Sequence, residues 1–218
     1  MTLTTYAGLS TGVFRRLDRT ADSAVFDDCI SLAEAEINRR LALKPVRPMH
    51  IRSTATVNAQ YIAVPTGILD VDSFKLDDSA TEPLTFTSPQ NMEAMYAQND
   101  ETGVPDFYTQ IGTEFRFYPE PDASYTATLI YWTKVPALTS VATTNWLSLA
   151  HPDVYFHGIL AHAYQEYFDP ENADVQAGLF DVAIQKVLDA YPHRTDTRPL
   201  RSEISQYDLG SRYSGVLA

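Results

Sequence analysis

The spacing of apolar residues changes period twice along this chain of 218 residues, and that double change limits the fold more than any motif does. Phe26, Ile30, Ala33, Ile37 and Leu41 recur at spacings of four, three, four and four. That is the single stripe of an amphipathic helix. Asp22 or Ser23 can cap its start. Asp27 and Asp28 fall in its first turn and Arg39 and Arg40 in its last, the signs that the helix dipole favours. Pro45 and Pro48 end it, so a helix is predicted over 22–43. From residue 50 the period drops to about two. Runs at 50–57, 60–64, 68–76, 83–87, 106–111, 114–118 and 124–134 read as strands, within a β-rich region of 50–135. Asn58, Pro65-Thr66-Gly67 and Asp77-Asp78-Ser79 punctuate them. Ser88-Pro89 opens a short helix through Gln98, and 99–105 is loop.

The helical period returns at Pro152. Residues 154–168 are apolar nearly all round, which calls for cover on several sides, some of it from another subunit. Asp169-Pro170 starts a last helix with the stripe Phe180, Ile184, Val187 and Tyr191, stopped by Pro192. The pattern predicts an α+β fold. Helices at both ends of the chain form a helical bundle, with an antiparallel β-region inserted between them. One domain spans 1–193, with helices at 152–191, and an extended tail follows at 194–218. The first twenty residues read as irregular. The tail keeps Leu200, Ile204, Tyr207, Leu209, Tyr213, Val216 and Leu217, too many apolar residues for a pure spacer. It reads either as a disordered tail or as a segment that orders on a partner.

The most legible stretch is FYPEPDASYTATLIYW, residues 117–132. It reads as an aromatic hairpin turning at Pro119, Glu120, Pro121 and Asp122. In its second strand Tyr125, Ala127, Leu129 and Tyr131 face one way, and Thr126, Thr128, Ile130 and Trp132 the other.

Net charge is −12, unevenly spread. Residues 1–52 hold 8 basic and 6 acidic side chains, residues 53–193 hold 4 and 19, and residues 194–218 hold 4 and 3. DNA affinity rests on Lys and Arg neutralising phosphates, so an acidic body argues against a nucleic-acid reader. It still suits a surface that DNA slides past without sticking. The lone Cys29 excludes an internal disulfide and a cysteine zinc cluster. No charged leader precedes an apolar run, and no stretch is long and apolar enough to span a bilayer. The expectation is a protein neither secreted by a standard signal nor placed in a membrane.

Catalytic patterns are weak. GLSTG at 8–12 matches a nucleophile elbow around Ser10, but too little sequence precedes it to supply a strand and an oxyanion hole. His151, His157 and His162 are spaced six and five apart, which does not put them on one helix face. Asp70, Asp72, Asp77 and Asp78 lack the glycine and closing glutamate of a calcium loop. Glu114 with Glu120 or Asp122 could form a glycosidase-like pair if held about 5 to 9 Å apart. Cys29 reads as packing. No cofactor or metal is expected.

Two stretches resemble the head-to-tail adaptor proteins of tailed bacteriophages, also called connector, gatekeeper or tail-tubular proteins. One is FRFYPEPDASYTATLIYWTKVPAL (115–138), with Tyr131, Trp132, Pro136 and Leu138 at the strand ending. The other is NWLSLAHPDVYFHGILAHAYQEYF (145–168), with Pro152, Asp153, Gly158 and Ala161 in the helix that follows. The likeness covers about 20–192 and rests on packing patterns. It implies a non-enzymatic structural protein of the virion, assembled in the host cytoplasm and placed at the head–tail junction. Such proteins form a homo-oligomeric ring, commonly a dodecamer, beneath the portal protein. The genome passes through the lumen during ejection, without sequence-specific binding. Below would sit the next tail component, a nozzle, stopper or tail tube. On this reading 194–218 is a portal-docking tail, with Arg198, Arg201 and Arg212 as ionic contacts and Ile204, Tyr207 and Tyr213 as anchors. The 119–122 turn would face the tail. The rival functions are a cell-wall glycan hydrolase using the carboxylate pair, and a monomeric binding module.

Overall fold

The computed structural model describes residues 2–77, 82–99 and 101–191. The chain opens with a helix, α1 (Tyr6–Leu17), where an irregular start was expected. Thr5 caps it by accepting the Gly8 N–H, and Leu9, Val13 and Phe14 are buried. Gly8, Gly12, Ser10 and Thr11 lower its local helix propensity, so tertiary packing decides the outcome. The GLSTG stretch is therefore helix interior, neither an elbow nor a flexible turn. The predicted helix α2 (Ser23–Leu43) follows, capped by Asp22, with its whole stripe buried.

A 3₁₀ turn at Arg47–Met49 sends the chain into the β half. That half runs β1 (His50–Val57), β2 (Tyr61–Ala63), β3 (Ile68–Leu76), β4 (Thr85–Phe86), α3 (Pro89–Gln98), β5 (Thr102–Gly103), β6 (Phe107–Ile111), β7 (Glu114–Tyr118), β8 (Glu120–Pro121) and β9 (Tyr125–Thr133). One sheet has the order β1-β9-β3, antiparallel throughout. A second has the order β2-β7-β6-β4. The β-region is not wholly antiparallel: the short pairs β4–β6 and β5–β8 are parallel.

The expected hairpin at 117–132 does not form. β7 and β9 lie in different sheets, and residues 119–122 carry the chain from one to the other. The hairpin that does form is β6–β7, closed by the two residues Gly112 and Thr113. Gly112 sits at φ +60, the positive value that a type II′ turn needs at its first central position.

The chain returns to helix at α4 (Trp146–Ala150), α5 (Pro152–Glu166) and α6 (Pro170–Ala190). The sequence reading had no α4 and carried α5 on to 168. Instead Phe168 takes a left-handed φ of 58 and is 93% exposed. α5 packs against α1, α2, α4 and α6. The apolar residues fall into two clusters. One joins the helices, with Val135 and Leu138 inserted from the segment after β9. The other lies between the two larger sheets. The tail at 194–218, with Arg198, Arg201, Ile204, Tyr207, Arg212 and Tyr213, lies outside the described residues, as does Asp78.

Candidate functional site

The two halves are joined by the segment that leaves β9. Trp132 stacks on His50, ring centroids 4.5 Å apart, where the chain had entered the sheet. Tyr131 and Leu138 are buried, while Pro136 is exposed. Irregular backbone that enters a core must find hydrogen-bond partners, and helix side chains supply them here. The Val135 N–H donates to Asn38 Oδ1 at 2.8 Å. The Leu138 N–H donates to Glu34 Oε1 at 2.7 Å. Asn145 Nδ2 donates to the Pro136 carbonyl at 2.6 Å and to Tyr155 Oη at 2.7 Å. Tyr155 Oη in turn donates to Glu34 Oε1 at 3.4 Å. Asn145 also forms a capping box with Ser148 at the start of α4. Burial pushes the Glu34 carboxyl above its ordinary range, partly offset by its two hydrogen bonds. Burial and the nearby Glu34 charge push the Tyr155 phenol far up.

These four side chains clamp the β half onto the helices. Sequence reasoning missed them. Asn145 three residues before Ser148 was a visible cap signal. Glu34 beside the α2 stripe showed only as a polar interruption.

The second motif sits where α5 meets its neighbours. Pro152 takes the first helical position and Asp153 the first turn. A Cβ on Gly158 would lie 3.0 Å from the Phe180 ring and 3.4 Å from Ala33 Cβ. Glycine thus sets the contact of α5 with both α6 and α2. Ala161 is buried on the same helix.

The remaining candidates do not converge. His151 joins α4 to α5 and stacks edge-on to Tyr191. The His157 ring pairs with Gln176 at 2.8 Å. His162 is shifted downward by burial. Asp70 and Asp72 lie within β3, not in a loop. No group of three or more metal-binding side chains comes together among the described residues. Glu114 begins β7 and Glu120 follows its end. A strand of about 13 Å at 3.3 Å per residue separates their backbones. Asp122 accepts the Tyr125 hydroxyl. Pro119, Glu120 and Pro121 are half-buried, with β8 paired to β5, and Asp122 is exposed. Cys29 is buried and its thiol is pushed up to about 11, which suits packing.

The surface offers more than the interior. α6 exposes Val175, Leu179 and Val182, and α2 exposes Leu32 and Leu43. The β half exposes Phe86, Val104 and Ile111. No helix among the described residues is long and apolar enough to cross a membrane.

The described residues thus form an α+β scaffold whose halves are stitched by helix side chains and whose surface carries apolar stripes. The family of the SU10 adaptor protein matches residues 4–203, and the chain belongs to that family of phage head-to-tail adaptors. The match takes in α1, which the resemblance over 20–192 had left out. No curated protein matches the chain. Membership supports a structural role in the virion at the head–tail junction and implies interaction with portal and tail components.

Proposed function

We propose that the chain assembles into a dodecameric ring that joins the capsid portal to the tail and lets the genome pass through its lumen. The observation that carries this reading is the adaptor-family match over residues 4–203. The helices would form the bundle that builds the ring. The acidic stretch over 53–193 supports a lumen that does not grip DNA. Segment 194–218 would reach the portal through Arg198, Arg201 and Arg212, with Ile204, Tyr207 and Tyr213 as anchors. Tyr and Arg are favoured at interface hot spots. The 119–122 segment, ending in the exposed Asp122, would meet the next tail component. Many weak contacts repeated around one ring sum to firm attachment without any strong single site.

Sedimentation of the purified protein, alone and with purified portal rings, tests this. The expected result is one discrete species in which a ring of copies has joined the portal. A monomer that sediments independently of portal would overturn it. Deleting 194–218 should leave a folded protein that no longer joins filled heads to tails. Heads that mature normally without the segment would remove its docking role.

A further inference from the structure

Two outward faces of the helical half are apolar and differ in charge. α2 and α6 each pack along α5 and meet each other at the Arg40–Asp181 ion pair. Away from α5, the outer side of α6 shows Val175 (58% exposed), Leu179 (43%) and Val182 (52%). Their spacings of four and three make one stripe. A Cβ placed on Gly178, in the same stripe, would meet nothing within 4 Å, so another backbone can come close there. Around the stripe stand the exposed acids Glu171, Asp174 and Asp189, with Lys186 the cation among them. The outer side of α2 shows Leu32 (55%) and Leu43 (87%), with the exposed Ala35 and Arg39 between them. Its C-terminal end carries Arg39, Arg40, Lys44 and Arg47. Glu36 is shared by Arg39 and Arg40, so that end stays positive.

We infer that the α6 face of one copy docks on the α2 face of the next. This rests on the ring reading and names its subunit contact. α6 against α6 would set mostly acid on acid, whereas the acids of α6 find bases at the C-terminal end of α2, whose N-terminal end carries the exposed Asp27 and Asp28. α6 against α2 joins opposite signs along two apolar stripes. Each helix is 21 residues long, so the contact can run its full length. Such a contact is heterologous, and a heterologous contact that closes makes a ring.

Cysteine cross-linking tests it, with the full chain alone and on portal rings. Cys29 is buried and stays in place. Leu32→Cys alone and Leu179→Cys alone should form no covalent dimer, whereas their mixture should. The double variant should give a ladder of covalent oligomers. Dimers from Leu179→Cys alone would overturn the inference. So would the absence of cross-links in samples that form rings or portal collars, with the adaptor reading left standing. If no sample forms an oligomer with or without portal, both fall. A Leu179→Lys/Val182→Lys variant changes only exposed positions. It should keep the wild-type circular dichroism and lose the ring.

Discussion

In the helical half the core is mostly aliphatic. Leu9, Val13, Ile30, Ile37, Leu41, Leu147, Val154, Ile159, Leu160, Ile184 and Val187 fill the space around α5, and a glycine sets the closest approach. In the β half the core is built from rings. Phe74 meets Tyr108, Phe115 and Phe117 edge-on, with centroids 5.4, 5.5 and 5.4 Å away, and links the two larger sheets. The first core is assembled from helices that share many contacts around α5. The second hangs on one side chain that three others touch. The halves should therefore respond differently to the same kind of injury.

The largest effect is expected from Phe74→Ala. Removing a fully buried ring costs about 3–5 kcal/mol, and the loss should fall on the β half. Hydrogen exchange should show β3, β6 and β7 losing protection before α5 does. Equal loss in both halves would mean that they unfold as one unit. Gly158→Leu is the matching injury in the helical half. It should cost about 1–3 kcal/mol by overpacking, read as a lower urea midpoint, because Phe180 and Ala33 already stand against that position.

The seam between the halves comes next. Asn145→Ala removes a cap and leaves the Pro136 carbonyl without its donor, at a cost of about 1–2 kcal/mol. The combined fluorescence of Trp132 and Trp146, which flank the segment, should report its loosening. Gly112→Ala should cost about 1 kcal/mol, because a side chain is disfavoured at that positive φ although space is open around it. Glu34→Gln gives the smallest effect and the one with a pH signature. Burial raises the Glu34 carboxyl above its ordinary value of 4.5, so the folded state binds that proton more tightly than the unfolded chain does. Acidification from neutral pH through that raised value should stabilise the wild type relative to the glutamine variant, and the gain should level off below about 4.5. Urea midpoints at pH 7 and pH 5 would read the difference.

The same contrast explains what was legible in the sequence. Helix signals are local. Asp22, Ser88 and Asp169 cap the helices predicted to start there, and the α2 stripe is buried residue for residue. α1 escaped because its propensity is poor and its burial comes from elements far along the chain. The longer strands were also legible, and the alternation in β9 shows in its burial pattern, whereas the two-residue strands β5 and β8 lie where a loop and a turn were expected. Strand pairing was not, because which sheet a strand joins is decided by distant partners. The aromatic run at 117–132 looked like a hairpin because its two strands are neighbours in sequence. The two residues Gly112-Thr113 marked the real turn between shorter and less conspicuous runs. Within the site, the motif residues Tyr131 and Leu138 are buried, Trp132 is half-buried and Pro136 is exposed, whereas nothing local marked Glu34, Asn38 and Tyr155 for their hydrogen bonds. Asn38 and Glu34 act by meeting a segment about a hundred residues away in sequence, and Tyr155 by reaching back to Glu34 on α2.

Electron microscopy of the protein mixed with portal rings tests the central claim most directly. A collar added to one end of each portal ring, with the β half pointing away from the portal, is the predicted result. Bare portal rings beside unassembled protein would contradict it.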